Sequence, residues 1–286
     1  MGVSQLPAPK LAARSLDTLY ILTDDALAQA TGVRVVFTGR AGGASQGDYA
    51  GLNLATHVGD DLSVVEENRA LLMHALDVPD MPLVVPSQVH GSELVRIVAA
   101  DRDHVDAART EAAAGADGIV VTCPDVAALL CFADCTPVII VSPTGAFAVV
   151  HAGWRGMAAS IAPKAAHVLA DHESKGADPA FRSAAEALAS YNVYVGPYIH
   201  AECFETGSDV HDLFVAKMGP ACAPDDRHVD LGRALAIDLE RAGVDPARIA
   251  DAGVCTACHP DAFYSYRASG GVCGRHGALA FRRSMG

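Results

Sequence analysis

The chain has 286 residues, with 21 Lys and Arg against 34 Asp and Glu, a formal charge of −13. Hydrophobic residues make up 51% and charged residues 19%, which is enough for a sizeable core and excludes a disordered chain. The acid excess excludes a nucleic-acid binder, which needs a basic surface, although a few local arginines can still hold a small phosphorylated molecule.

Residues 1 to 15 read as a flexible N-terminal tail, with Pro7 and Pro9 and no periodicity, and residues 16–286 as one domain. The opening MGVSQLPAPKLAARSLD has no apolar leader core, and Leu6 stands where a myristoylation signal needs Ser or Thr. Val33 to Phe37 is a β-branched strand that runs into the turn GRAGGASQGDYAG. Ser63 and Glu66 form a capping-box pair before a helix to about Leu76, with Val65, Leu72 and Leu76 on one face. Strands are expected at Leu83 to Val85 and Leu94 to Val98, on either side of SQVHGS. More follow at Gly118 to Thr122, Leu129 to Phe132, Val138 to Val141 and Phe147 to Val150. A helix over about Ser160 to Ala170 leads to a polar loop at 172–179 and a second helix at Ala180 to Ala189. Val193 to Val195 is a strand, and Asp230 caps a helix from Leu231 to Ala242 with Gly243 just beyond it. The last strand is Ala278 to Phe281. Strands and helices mix without regular βαβ alternation, so a mixed-sheet α+β fold is expected rather than a Rossmann fold. No G-x-G-x-x-G or Walker motif supports a nucleotide cofactor. The longest apolar run, Val126 to Ala133, falls well short of the roughly 18 residues of a membrane span. The expected location is therefore cytoplasmic, with the 8 Cys as thiols, ligands or nucleophiles rather than disulfides.

Three apolar strands each deliver a His or Cys into a turn of small residues: His90 in SQVHG, Cys135 in ADC and His151 in HAGWRG. Separations of 45 and 16 residues are too long for a zinc finger and suit a site assembled from adjacent strand ends. Two His and one Cys are good zinc ligands, and three protein ligands leave the open position of a catalytic site. The alternative is a buried, unreactive Cys135 beside two hydrogen-bonded turn histidines.

SQVHG, GADGIV, ADCTPV, HAGWRG, GPYI with CFE, and CTACHPDAFYSYR resemble, in order, segments of the laccase-domain or polyphenol oxidase family, whose members are regarded as purine nucleoside phosphorylases. The resemblance runs from about Phe37 to Gly274. It implies a zinc ion on His90, Cys135 and His151, which would also be the catalytic residues. It also implies a four-layer α/β/β/α arrangement of mixed sheets between helices, related to cysteine hydrolases. The implied activity is phosphorolysis of adenosine, inosine, guanosine and methylthioadenosine, with deamination of adenosine. The partners are then purine nucleosides and phosphate, with no nucleic acid and no membrane.

Phosphate suits the planar fork of arginine, and the candidates are Arg40 in GRAGG, Arg69 in ENR and Arg155 in HAGWRG. Arg40 follows Gly39 where the family has Thr, Arg69 can equally be a solvated helix residue, and Arg155 can equally be structural. Deamination needs a proton carrier, but the one His-x-Glu, His200-Ala201-Glu202, is not followed by the P-C-x-x-C that completes the zinc deaminase signature. Asp117, Asp134 and His57 are the open candidates, with Asp134 equally able to pin its turn. Phe263, Tyr264, Tyr266 and Arg267, beside Ser265, offer rings and a cation for stacking on a purine, though alternation along a strand puts at least one of Phe263 and Tyr266 in the core.

Cys255-x-x-Cys258-His259 mimics a haem attachment motif, which without an export signal carries little weight. Cys255, Cys258, Cys273 and His276 together have the spacing of a small structural zinc site, provided the intervening chain turns back. A copper phenol oxidase is disfavoured, because no two histidines form His-x-His. The other rivals are a cysteine amide hydrolase acting on peptidoglycan precursors, with Cys135 as nucleophile and His90 or His151 as base, and a non-enzymatic binding module.

Overall fold

The computed structural model describes residues 4–175 and 179–284. Its strands are β1 (Ala12–Leu16), β2 (Leu19–Thr23), β3 (Val33–Thr38), β4 (Leu83–Val84), β5 (Leu94–Ile97), β6 (Gly118–Val121), β7 (Ala127–Phe132), β8 (Thr136–Val141), β9 (Phe147–Ala152), β10 (Asn192–Val195), β11 (Ile249–Asp251) and β12 (His276–Arg282). Its helices are α1 (Asp25–Thr31), α2 (Leu62–Ala75), α3 (Arg102–Ala114), α4 (Trp154–Ala158), α5 (Ile161–Ser174), α6 (Ala184–Ser190), α7 (Ser208–Met218) and α8 (Leu231–Ala242).

The strands form two six-stranded mixed sheets, in the orders β1-β2-β3-β12-β7-β4 and β11-β10-β8-β9-β6-β5. Most neighbours are antiparallel; β4 with β7, β5 with β6 and β10 with β11 are parallel. Residues of β7, β8 and β9 are buried along their whole length, because both faces of these strands are covered. Side chains alternate along a strand, so each strand feeds two cores. Ala128, Leu130 and Phe132 of β7 pack with Ile139, Val141 and Val149 of the second sheet, between the sheets. Ala127, Leu129 and Cys131 face the other way, toward Leu72 and Met73 of α2. On the far side of the second sheet, Val138, Ile140 and Val150 meet Ile161, Ala165 and Leu169 of α5 and Leu235 and Leu239 of α8. The result is the expected α+β fold, with two mixed sheets layered between helices.

The N-terminal tail is corrected. β1 pairs with β2 from Ala12↔Thr23 to Leu16↔Leu19, Leu6 is buried, and Asn192 Nδ2 donates to the Pro7 carbonyl at 2.9 Å. β1 is an edge strand with Ala13, Arg14 and Ser15 exposed, so no alternation marks it in the sequence. Residues 1–3 lie outside the described residues. The cap of α2 is Asp61, whose carboxylate accepts from the Ser63 amide at 2.8 Å, while Glu66 pairs with Arg69 instead of closing a capping box. α5 runs to Ser174 through part of the expected loop, since buried Glu173 accepts from Ser142 Oγ at 2.6 Å and from the Tyr191 hydroxyl. Residues 176–178 of that loop lie outside the described residues. α8 matches its expected bounds: Asp230 accepts from the Arg233 amide, and Gly243 takes φ 101°.

Candidate metal centre and cavity

His90, Cys135 and His151 converge from three directions. His90 sits in the loop after β4, Cys135 in the turn where the chain passes from β7 in one sheet to β8 in the other, and His151 in β9. Their ligand atoms all lie within 4.8 Å of one another, and the two imidazoles meet edge-on with ring centroids 4.8 Å apart.

One carboxylate arranges two of the three. Asp117, fully buried just before β6, accepts from His151 Nδ1 at 2.7 Å. It also accepts from the amides of Val89, His90 and Gly91 at 3.2, 3.0 and 2.6 Å. These bonds hold His90 at φ +58°, a left-handed conformation uncommon for a residue with a side chain. They also fix the His151 proton on Nδ1, leaving Nε2 for Cys135 or a metal. Burial works to raise the Asp117 pKa, but the His151 bond and charge and the loop amides together hold it below the usual range.

Burial likewise opposes ionisation of Cys135, but charge and hydrogen bonds from His151 and His90 outweigh it and bring the thiol down to about 6. Burial disfavours the charged form of His151 as well; Cys135 and Asp117 overcome it and raise His151 to about 9. The two form a thiolate–imidazolium pair in the absence of a competing cation.

The donor set fits zinc. Arms of about 2.0–2.3 Å in a tetrahedron place ligand atoms roughly 3.5 Å apart, a modest contraction of this cluster. Gly153 lies against all three ligands: a Cβ there would stand 3.2 Å from His90 Cδ2, 3.4 Å from Cys135 Sγ and 3.4 Å from His151 Cε1.

The three ligands open on a cavity of about 390 Å³, within the range of small-molecule sites. His57, Gln88, Phe204, Tyr266, Arg267 and Arg275 contribute to its lining. A second recess of about 280 Å³ shares His57, Gln88 and Cys131 with it and contains Arg69. Arg69 donates from Nε to the Leu54 carbonyl at 3.0 Å and from Nη1 to Glu66 at 2.9 Å. Burial lowers the pKa of His57, and Arg275, His90, Arg69 and His151 lower it further. Arg275 and Arg69 thus place positive charge beside the cluster in an acidic chain.

Arg40 and Arg155 are not brought to the cavity. Arg40 donates to the carbonyls of Pro260 at 2.7 Å and Ala50 at 3.1 Å and lies over the Tyr264 ring. Arg155 is exposed and stacks 4.1 Å over Trp154. Asp134 is a pin: its carboxylate accepts from Thr256 Oγ1 at 2.6 Å and the Arg267 amide at 2.7 Å. Phe263 and Tyr264 are buried, Ser265 accepts from the Ala268 amide, and Tyr266 and Arg267 reach the cavity.

Arg275, Gln88 and Phe204 escaped the sequence reading. Gln88 had a signal in its neighbour His90, and its amide pairs both ways with the Cys131 backbone at 2.8 Å. Arg275 had none beyond its place before β12. The set Cys255, Cys258, Cys273 and His276 is corrected: His276 is buried between Phe132 and Phe263, while Cys255 and Cys258 meet Cys203 and Glu202.

Residues 34–283 match the family described as multi-copper polyphenol oxidoreductase laccase. A relative named purine nucleoside phosphorylase YlmD, from Geobacillus stearothermophilus, is 32% identical over 86% of this chain and 89% of its own. One named adenosine deaminase RL5, from an unknown prokaryotic organism, is 31% identical over 85% of this chain and 92% of its own. The crystal structure of YlmD from Geobacillus stearothermophilus superposes with a TM-score of 0.81 and 28% identity, covering 96% of this chain and all of that one.

Proposed function

The chain belongs to the multi-copper polyphenol oxidoreductase laccase family, and from that membership and the geometry of the site we propose that it is a zinc-dependent purine nucleoside phosphorylase. The observation that carries the proposal is the His90, Cys135 and His151 cluster opening on a cavity lined by Arg267 and Arg275, with Arg69 in the adjoining recess. The substrates are adenosine, inosine, guanosine and methylthioadenosine with phosphate, and adenosine deamination is a side activity suggested by the deaminase relative. One thiolate and two imidazoles with an open fourth position suit a catalytic zinc ion, and the other ligand group among the described residues holds no histidine for a multicopper centre. We assign the chain from β1 onward, Ala12 included, to one domain. All eight cysteines are free and no described helix is long and apolar enough to cross a membrane, which supports a cytoplasmic location.

His90, Cys135 and His151 would hold the zinc ion, which supplies positive charge for a phosphate oxygen or, in deamination, a water of lowered pKa. Asp117 keeps the proton of His151 on Nδ1 and so aims Nε2 inward. Arg275 and Arg69 balance the phosphate charge, and the Tyr266 ring gives the purine a face to stack on. In phosphorolysis the C1′–N9 bond breaks, a C1′–O bond to phosphate forms, and the purine takes up a proton. His57 is the candidate left, because Asp117 and Asp134 are held in hydrogen bonds; its lowered pKa keeps it neutral, so it would relay a proton from solvent rather than store one. Inosine with phosphate should yield hypoxanthine and ribose 1-phosphate; absence of both, with adenosine unconsumed, would sink the nucleoside reading.

One observation favours a second reading. The lowered pKa of Cys135 beside His151 also suits a nucleophile of a cysteine amide hydrolase. A covalent adduct on Cys135, with amidase activity kept in chelator, separates it from the zinc enzyme.

A further inference from the structure

A second group of soft ligands lies outside the cavity. Cys203 is in the loop after β10, and Cys255 and Cys258 are in the loop after β11. The parallel pairing of β10 with β11 continues through a bridge between Tyr198 and Cys255, and this brings residues 55 apart into contact. Cys203 Sγ and Cys258 Sγ are 3.4 Å apart, and with Cys255 Sγ and a Glu202 carboxylate oxygen all four ligand atoms fall within 4.8 Å.

We propose that Glu202, Cys203, Cys255 and Cys258 form a structural zinc site separate from the catalytic cluster. Three thiolates and one carboxylate give the four-coordinate, closed set of a structural site, and sulfur is the ligand type that selects zinc over hard cations. A tetrahedron with arms of about 2.3 Å sets sulfurs roughly 3.8 Å apart, close to the spacing already present. The surroundings support the ligands. The His200 amide donates to Cys255 Sγ at 3.4 Å, and His200 Nδ1 stands 3.8 Å from Glu202 Oε1. Such partners around ligating atoms are typical of metal sites.

The site would staple two loops that wall the catalytic cavity. Ile199 and Phe204 on one loop line it, and Thr256 on the other holds Asp134 next to Cys135. Arg267, also in the lining, donates to the Cys203 carbonyl at 3.0 Å.

The test is metal content of the full-length protein purified with reductant and zinc. Wild type should carry about two zinc ions per chain, and Cys135→Ala and Cys258→Ser about one each. Cys258 is exposed, so Cys258→Ser should fold; Glu202→Gln, which removes no thiol, should lose the same zinc more readily to a chelator. Cobalt replacement gives a second reading, with the sulfur-to-cobalt absorption falling by more in Cys258→Ser than in Cys135→Ala. About one zinc in wild type and no loss in Cys258→Ser would overturn the proposal. So would a Cys203–Cys258 disulfide in protein that still binds zinc only through Cys135. Because the metal count does not depend on nucleoside turnover, this site stands or falls apart from the phosphorylase assignment.

Discussion

The carboxylate of Asp117 and the imidazole of His151 meet at 2.7 Å with both side chains almost wholly shielded from water. Asp117→Asn keeps the size but loses the charge that sets the His151 proton. The expected result is zinc affinity weaker by roughly 10–100-fold, measured by chelator competition. Activity should fall with it and recover in part when zinc is added in excess. Unchanged zinc affinity would show that Asp117 serves only the loop amides.

Metal-stripped protein should react with iodoacetamide first at Cys135. Its thiol ionises at about 6, so reactivity should be low below that pH and rise through it. Buried Cys131, pushed up to about 11, should stay inert. Added zinc should block the reaction, and His151→Ala should move its midpoint upward. Mass spectrometry of the alkylated peptides reads all of these.

The arginines separate by position. Arg275→Ala and Arg69→Ala should each raise KM for phosphate by roughly 10–100-fold, the loss of a charge-assisted contact. Arg155→Ala should leave KM for phosphate unchanged, since its guanidinium lies over Trp154 and outside the cavity lining. Arg40→Ala should lower stability by about 1–3 kcal/mol, because it strips partners from the Pro260 and Ala50 carbonyls, and leave phosphate binding alone. Urea unfolding and phosphate titrations distinguish the two classes.

His276 sets an acid limit. It is fully buried, and burial, with a smaller push from Arg275, outweighs the Pro197 carbonyl and lowers its pKa to about 3. Between about 6.5 and 3 the unfolded chain holds a proton that the folded chain does not, so stability falls as pH falls. The slope from this group is about 1.4 kcal/mol per pH unit. His276→Phe should flatten the acid side of a Tm-against-pH curve. An unchanged slope would mean that His276 is already protonated when folded.

Much of this site was legible in the sequence because apolar runs ending in small-residue turns mark strand ends. β6 through β10 and the capped α8 carry such signals in Gly118 to Val121, Ala127 to Phe132 and Asp230 with Gly243. α3 did not, because its Ala-rich sequence buries only Val105, Ala108 and Ala112 on one narrow face. β1 has no buried face of its own to show. Arg40 looked like an anion ligand because its turn is rich in Gly, but carbonyls from Pro260, 220 residues away, claim its guanidinium. Cys203 joined Cys255 only through the β10–β11 pairing, a long-range event that spacing along the chain does not encode.

The turn that carries Cys135 is also the point where the chain leaves one sheet for the other. The three candidate metal ligands therefore do not exist as a set in either sheet alone. An ion bound there acts as a non-covalent cross-link between the two halves of the sandwich, and its binding energy counts against global unfolding rather than local fraying. With zinc as the proposed metal, the complete ligand set would form only once the two sheets have stacked.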